Sequence, residues 1–400
     1  MSRAIRSIGV VEPGRPAILD AEEPDPGPGQ AWVRTEWSGI SAGTEVALVR
    51  GTDPHHLLHW DPDLRSFDEA GPPAAYPVTG LGYMEVGRVT ESRTPDLAEG
   101  QLVAMAYGHR TGTCADPSVK PVIPVPDDLD PLLGVYLAQM GPICVNGLLH
   151  AAADVAGPGA GVDAGVRDRH VLVTGAGVIG LLSAVLAVRH GAADVVVAEP
   201  SAERRAVAEA LGLTTLADGA AAEPASPAWR AVKERWRHGP GDAGADVVLQ
   251  CRGHDAALAT GLKALRPQGT VVDLGFYQAG AEAVRLGEEF HHNGLAVVCA
   301  QIGRAPRGMA GAWPRTALAE VTLDLLRQRG HDVRRHLVTD VLPFEEGPRL
   351  LADLAGRRLS APPLQAVLRF DPERQPFREG HRSEERARSG PGGGAGPGST

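Results

Sequence analysis

Three glycines have the spacing in this chain that is most specific for chemistry. Gly175, Gly177 and Gly180 form the pattern G-x-G-x-x-G in "HVLVTGAGVIG", directly after an apolar run and at the start of a predicted helix. The first glycine permits a tight turn, the second lets the backbone approach a pyrophosphate, and the third lets the helix pack on the strand. Free N–H groups at the helix start, from Val178 and Ile179, favour phosphate. The pattern predicts a dinucleotide-binding site.

A carboxylate after the next apolar run bears on which dinucleotide is bound. Glu199 ends "DVVVAEP", where a carboxylate accepts hydrogen bonds from ribose hydroxyls and repels a 2′-phosphate. This favours NAD over NADP. Arg204 and Arg205 follow in the next predicted helix and leave NADP open, since they either bind a 2′-phosphate or form a solvated helix face.

The elements that position these residues alternate along the second half of the chain. From His170, Val-rich runs such as "ADVVLQC" and "GTVVDLGFY" alternate with helical segments. This order predicts an α/β doubly wound parallel sheet whose strands are buried on both faces. Earlier, short β-like runs such as "AWVRTEWSG" and "EVGRVTES" are broken by Gly and Pro and predict a compact, barrel-like antiparallel unit.

Composition excludes several classes of function. The 400 residues carry a formal charge of −10 without a basic stripe, which argues against a nucleic-acid or anionic-membrane partner and favours a small-molecule substrate. No apolar run approaches the roughly 20 residues that cross a bilayer, and the start lacks the apolar centre of a secretory signal. We therefore expect a cytoplasmic protein. The four cysteines form no CxxC pair, which disfavours a disulfide framework or a structural zinc lobe.

With these motifs in place, the chain resembles the medium-chain dehydrogenase/reductase superfamily of alcohol dehydrogenases over roughly residues 3–370. The motifs "SGISAGTE", "GYMEVGRV" and "DLGFY" are similar to those of a zinc-free subgroup that includes chlorophyllide dehydrogenase and dehydrogenases of natural-product pathways. The resemblance implies a GroES-like β-barrel catalytic domain, a Rossmann domain and a homodimer paired through the strand "LAVVCAQI". It also implies that Asn146, Gly275 and Phe276 lie near the nicotinamide end of the cofactor.

The resemblance also predicts domain bounds. We expect residues 1–150 to form the GroES-like domain and residues 151–295 the Rossmann domain. Residues 296–370 should complete the Rossmann sheet, supply the dimer strand and return to the first domain. Residues 371–400 are charged and then rich in Gly and Pro, so we expect a disordered tail.

The positions that bind zinc in the metal-dependent members hold other residues here. Alignment of the motifs puts Ser41, Tyr83 and Pro142 at the three catalytic ligand positions, and Met84 replaces the acidic residue beside the second. None of these binds zinc well, and the segment 100–116 offers only Cys114 for the structural zinc loop. The sequence therefore predicts no metal at either place.

Without a metal, a hydroxyl donor must stabilise the oxygen that gains or loses charge. Tyr83 is the first candidate, unless its ring only fills the volume left by the metal. Glu45 either accepts a proton, holds Tyr83 and Thr44 in place, or only ties its loop through backbone N–H groups. Ser41 and Thr44 are supporting polar contacts.

Two groups of histidines are candidates for substrate contact. His59, with His55 and His56, lies in a long polar segment, 51–77, that is either a pocket wall or lid or an exposed loop; a metal site there is the less favoured alternative. His291 and His292 precede the dimer strand and either reach the substrate pocket or belong to the interface.

The function predicted from the sequence is zinc-independent, NAD(P)-dependent interconversion of a secondary alcohol and a ketone on a polar or natural-product molecule. Two alternatives stay open: reduction of an activated C=C bond, and a catalytically silent nucleotide-binding protein.

Overall fold

The β-like runs of the first third form an antiparallel sheet together with a short helix. The computed structural model of the chain describes residues 1–219 and 227–371. The elements up to the linking helix are β1 (Ser2–Glu12), β2 (Arg15–Pro24), β3 (Ala31–Gly39), α1 (Thr44–Arg50), β4 (His59–Asp61), β5 (Ser66–Asp68), β6 (Glu85–Ser92), β7 (Leu102–Met105), β8 (Gly112–Ala115) and β9 (Ile123–Pro124).

The middle of the chain alternates strand and helix as the Val-rich runs predict. A linking helix, α2 (Met140–Ala156), leads into β10 (His170–Thr174), α3 (Val178–Arg189), β11 (Asp194–Ala198), α4 (Ala202–Ala210), β12 (Thr214–Leu216), α5 (Ala228–Arg235), β13 (Arg237–Gly239), β14 (Asp242–Ala243), β15 (Ala245–Gln250), α6 (Asp255–Ala264), β16 (Leu265–Asp273) and β17 (Ala296–Cys299). Six of these strands form a parallel sheet in the order β12-β11-β10-β15-β16-β17. The predicted α/β doubly wound fold is confirmed.

Successive residues of β10 explain why such strands are apolar throughout. Val171 and Val173 pack in the core that includes α2 and α3, whereas Leu172, between them, packs on the opposite face with Trp236 and Leu262. All three strand residues have no exposed surface. Because helices cover both faces, neither set of alternate side chains reaches water.

The end of the chain returns to the first sheet. It comprises α7 (Arg315–His336), β18 (Val338–Pro343), α8 (Gly347–Ala355) and β19 (Gln365–Arg369). The strand β19 pairs with β3, which completes a seven-stranded sheet in the order β18-β19-β3-β6-β7-β9, with β8 also on β3. The predicted tail, 371–400, lies outside the described residues except for Asp371. Among the described residues, no helix is long and apolar enough to cross a membrane.

Candidate active site

The glycine turn follows β10 at the carboxyl edge of the parallel sheet. Gly175 has a φ of +101°, a left-handed conformation that favours glycine. A Cβ on Gly180 would overlap the carbonyl oxygen of Gly175, so helix α3 can approach the turn only without a side chain there. A Cβ on Gly177 would meet nothing within 4 Å. The turn therefore has no room for a side chain between Gly175 and helix α3, but it leaves free space beside Gly177.

Glu199 is held against this turn. Its Oε2 accepts from the backbone N–H of Ala176 at 2.8 Å, and its Oε1 accepts from Ser201 N at 2.9 Å. The residue is only 4% exposed. Arg205 donates to the backbone carbonyls of Glu199 and Pro200 at 2.7 and 2.8 Å, so its guanidinium is engaged at the end of β11.

Loops after the neighbouring strands line the same edge. Arg252, just after β15, lies beside the turn, since a Cβ on Gly175 would lie 3.0 Å from the Cβ of Arg252. Gly275 and Phe276 follow β16, and the Phe276 side chain is 42% exposed. Gly275 N donates to Asp273 Oδ1 at 2.9 Å, which fixes the start of this loop.

Asn146, on α2, holds the loop that follows β17. Its Nδ2 donates to the carbonyls of Ala300, Gln301 and Arg304 at 3.2 to 3.4 Å. Its Oδ1 is buried and has no hydrogen-bond partner within the described ranges. The side chain thus positions the 300–304 loop and keeps one acceptor free.

Two of the three residues that the motif alignment assigns to zinc-ligand positions form a pair of hydroxyls. The Oγ of Ser41 and the OH of Tyr83 form a hydrogen bond, and the Thr44 hydroxyl also bonds to Tyr83. Gln278, in the loop after β16, accepts from Thr52 Oγ1 at 2.8 Å and donates to Gly43 O at 3.5 Å. The loop that carries Phe276 therefore contacts the turn that carries Ser41 and Thr44, which brings the two halves of the predicted site together.

A buried network of charged groups contacts the turn that carries Ser41 and Thr44. Glu45 Oε1 accepts from Ser41 N at 2.9 Å, and its Oε2 pairs with His109 Nε2 at 2.8 Å. His109 Nδ1 contacts Ser38 Oγ at 2.6 Å, and Ser38 donates to Glu85 Oε1 at 3.3 Å. When Ser38 donates to Glu85, its oxygen accepts from His109 Nδ1, and the ring then carries both protons. The network therefore holds an ion pair between His109 and Glu45.

Burial and charge set the protonation of these groups. Burial raises the pKa of Tyr83, and the nearby charge of Glu45 adds to this, whereas hydrogen bonds from Ser41 and Thr44 oppose it. Burial alone lowers the pKa of His109, but attraction and the hydrogen bond to Glu45 outweigh it, so that this pKa is raised. Tyr83 is therefore a neutral O–H donor and His109 favours its charged form.

Glu85 gives a pH-dependent stability that can be measured. Burial raises the pKa of this carboxyl, against the opposing effects of His109 and three backbone N–H groups. A raised pKa in the folded state contributes stability that is complete below the unfolded value of 4.5 and is lost as pH rises through the folded value. The raised pKa of His109 likewise contributes stability that is complete below the unfolded value of 6.5 and is lost as pH rises through the folded value.

We therefore expect Glu85→Gln to make the free energy of unfolding depend less on pH above 4.5. Urea unfolding at a series of pH values, compared with wild type and with the exposed Glu99→Gln control, measures this. A wild-type protein that gains stability relative to Glu85→Gln as pH rises would contradict the assignment.

Two of the histidines predicted to contact substrate lie away from the edge that carries the glycine turn. His291 and His292 precede β17 at the amino edge of the parallel sheet, about 13 Å along the strand from the edge that carries the glycine turn. This placement separates them from the cleft and does not support their predicted role. His59 Nδ1 bonds to Pro72 O at 3.2 Å, and His55 and His56 bond to Asp53 and Ala74, so each ring is tied within its own loop.

The donor set at the catalytic position does not fit zinc. Ser41 and Tyr83 offer neutral hydroxyls, and Pro142, on α2, offers no side-chain donor. Zinc sites in proteins are built from thiolate, imidazole and carboxylate groups. Cys114 is buried, and its Sγ donates to Gln30 at 3.3 Å.

His109, Ser38 and Glu85 were missed by the reasoning from sequence. The segment 100–116 contains "GHR" after an apolar strand. A histidine between two strand-like runs is a candidate for a buried hydrogen-bonded side chain. The sequence does not identify the residue to which it bonds.

Comparisons with known proteins find similarity to dehydrogenases. A family profile described as zinc-binding dehydrogenase matches residues 178–317. D-guloside 3-dehydrogenase of Escherichia coli K12 is 29% identical over 190 residues, which cover 46% of this chain and 52% of that relative, so the match spans about half of the relative's length. L-threonine 3-dehydrogenase of Pyrococcus horikoshii is 27% identical over 294 residues, which cover 69% of this chain and 77% of that relative.

A solved structure extends the likeness to the whole fold. A protein of Sinorhizobium meliloti 1021, described as a zinc-binding dehydrogenase and solved with NADP, superposes with a TM-score of 0.68 at 20% identity, over 92% of this chain and 99% of its own. The chain therefore has an alcohol-dehydrogenase-like fold, and its residues 178–317 match the zinc-binding dehydrogenase family model.

Proposed function

We propose that the protein is a nicotinamide-dependent oxidoreductase that interconverts a secondary alcohol and a ketone without a catalytic zinc ion. The observation that carries the proposal is the Tyr83–Ser41 hydroxyl pair, which the motif alignment assigns to zinc-ligand positions. The turn that carries Ser41 contacts the loop after β16 through Gly43 and Gln278. The names of the relatives, which include guloside and threonine dehydrogenases, support a polar alcohol as substrate.

The residues at the carboxyl edge fit a dinucleotide. The open space at Gly177 suits a pyrophosphate, and no side chain caps the first N–H groups of α3. Glu199 lies at the turn, where each of its oxygens keeps a lone pair for a ribose hydroxyl. Arg252 would face the phosphates, and Asn146, Gly275 and Phe276 would line the nicotinamide end.

The chain's own residues handle the proton and the charge. A bound nicotinamide supplies the acceptor or donor of hydride. Tyr83 donates its O–H to the reacting oxygen, and Ser41 and Thr44 orient that phenol through their hydroxyls. Glu45 positions Ser41 through its backbone N–H, and its bond to His109 fixes the carboxylate in turn.

We propose NAD rather than NADP as the cofactor. A 2′-phosphate beside Glu199 would meet a buried carboxylate, and Arg205 is already engaged by carbonyls. Arg204 is half-buried on the first turn of α4 and is the residue that would reverse the preference. The ratio of kcat/KM for the two cofactors tests this, and a ratio favouring NADP in the wild type would overturn it.

Two glycine substitutions separate binding from folding. We expect Gly177→Ala to cost no more than about 1 kcal/mol of stability yet to weaken dinucleotide binding at least tenfold, because the new methyl group enters the open space. We expect Gly180→Ala to lower stability by about 1–3 kcal/mol, because its Cβ overlaps a backbone oxygen. Thermal unfolding and fluorescence titration with NADH measure both. Normal NADH affinity in Gly177→Ala would contradict the site.

The activity itself is tested by NADH absorbance over a panel of glycosides, polyols, hydroxy acids and the corresponding ketones. We expect oxidation of at least one polar secondary alcohol. Reduction of conjugated C=C bonds alone would favour the enoyl-reductase alternative. NADH binding without turnover of any compound would favour a silent binding protein.

We also propose that the chain forms a homodimer through β17. This strand is the edge of the parallel sheet, and Val297 is 41% exposed there. An exposed apolar edge strand is available for pairing with a second copy. Light scattering with Val297→Lys, expected to be monomeric, tests this assignment; a wild-type monomer would contradict it.

A further inference from the structure

Three possible metal ligands meet at the amino edge of the parallel sheet, away from the glycine turn. His170 begins β10, Asp246 lies at the start of β15, and His238 lies in the β13–β14 hairpin. One ligand atom from each lies within 4.8 Å of the other two. We propose that these three side chains bind a divalent transition-metal ion, of which Zn²⁺ is the best match.

The donor set and its spacing suit this ion. Two imidazoles and one carboxylate are ligands that zinc accepts, with water in a fourth position. His170 Nδ1 and Asp246 Oδ2 are 3.4 Å apart. Zinc bonds of about 2.1 Å in a tetrahedron place neighbouring ligands about 3.4 Å apart, so this pair already has the required separation. The ligand atom of His238 lies within 4.8 Å of the other two, so the hairpin must bring it closer by up to about 1.4 Å to complete the site.

Two of the proposed ligands, His238 and Asp246, already form a hydrogen bond through the atom that would not bind the metal, as metal ligands in proteins usually do. The Nε2 of His238 lies 3.0 Å from the carbonyl oxygen of Gly244. Because a carbonyl only accepts, Nε2 carries the proton and Nδ1 keeps its lone pair for a metal. Arg266 Nη1 donates to Asp246 Oδ1 at 2.7 Å, which leaves Oδ2 directed at His170. The backbone N–H of His170 also donates to Oδ2, at 2.8 Å.

The charge of Arg266 beside Asp246 is partly neutralised by a second carboxylate. Arg266 also pairs with Asp242, where its Nε donates to Oδ1 at 2.8 Å, so its charge is shared between two carboxylates. The imidazoles of His170 and His238 have centroids 5.1 Å apart, and that of His170 lies 5.2 Å from the ring of Trp236. The three proposed ligands stand on the starts of two central strands, β10 and β15, and on the β13–β14 hairpin, so a shared ion would join the hairpin to the sheet.

The site is independent of the proposed reaction. The glycine turn follows the carboxyl end of β10, and His170 begins the same strand, about 17 Å away. An ion here acts on stability, since a ligand that binds only the folded chain raises its unfolding temperature. Metal binding and thermal stability therefore test this site independently of turnover.

The test uses the full chain after treatment with a chelator. We expect Zn²⁺, titrated against a chromophoric competitor, to bind at one tight site and to raise the unfolding temperature. Co²⁺ should give the visible absorption of a four-coordinate complex. His238→Ala and His170→Asn should each weaken Zn²⁺ at least tenfold and remove the rise in unfolding temperature, while near-wild-type circular dichroism shows that they fold.

The matched control is His331→Ala. This imidazole is 83% exposed and, like His170, lies beside an aspartate, Asp332, at 3.7 Å. We expect it to bind Zn²⁺ as wild type does. Equal Zn²⁺ affinity in wild type, His238→Ala and His170→Asn, or only weak binding of several ions to all of them, would overturn the proposal.

Discussion

Replacement of Tyr83 by Phe is expected to lower kcat/KM by about 100- to 1,000-fold. The phenol is the only group we assign to the reacting oxygen, and burial, with the charge of Glu45, keeps it neutral and able to donate. Phenylalanine fills the same volume, so the fold and the dinucleotide site should be unchanged. NADH binding with an affinity within twofold of wild type should accompany the lost rate.

A second tyrosine gives the matched control. Tyr107 donates its hydroxyl to the backbone carbonyl of Asp116 at 3.3 Å, outside the site. Tyr107→Phe should therefore retain the wild-type rate. Steady-state kinetics on the best substrate of the panel measure both variants. An unchanged rate in Tyr83→Phe would remove the proposed donor, and loss of NADH affinity together with rate would assign Tyr83 to cofactor binding.

Replacement of His109 by Ala is expected to lower the free energy of unfolding by about 3–5 kcal/mol. The imidazole has no exposed surface and Glu45 is 1% exposed, so the variant leaves a buried carboxylate without its partner. Ser38 loses its hydrogen bond to His109 at the same time, and Glu85 loses the nearby charge of the imidazole. Because Glu45 also holds Ser41 N, the turn that carries the hydroxyl pair should lose its order and its activity.

Two further variants separate the charge from the packing. Glu45→Gln/His109→Gln replaces the ion pair by two amides and should recover part of the stability lost in His109→Ala, which double-mutant analysis of urea unfolding measures. The exposed His331→Ala should change stability by less than about 0.5 kcal/mol. A His109→Ala protein as stable as wild type would contradict the buried ion pair.

Most of the fold could be predicted from the sequence because its signals are local. The runs at 31–39 and 85–92 are strands with those bounds, since short β-like runs broken by Gly and Pro define them along the chain. The continuous Val runs predict burial on two faces, and alternate residues of β10 do pack on opposite sides.

Only the site residues that belong to a recognisable sequence motif could be predicted. The glycine turn, Glu199 and the hydroxyls of Ser41 and Tyr83 were found through motifs. His109 was not, because its meaning depends on Glu45 and Ser38, which are 64 and 71 positions away. The sequence allows His291 and His292 to reach the substrate pocket or to belong to the interface, because they follow "GFY" and precede the dimer strand. A parallel strand must start at the opposite edge, however, so residues just before β17 lie away from the cleft.

The central claim is that hydroxyl groups, and no metal, handle charge at the reacting oxygen. The most direct test is the turnover rate of His238→Ala protein freed of metal by a chelator, with metal content determined, well below its unfolding temperature. We expect a rate within twofold of the untreated variant. Loss of turnover on metal removal, with recovery on addition of one equivalent of Zn²⁺, would contradict the account, because that ion would have to act at Ser41 and Tyr83.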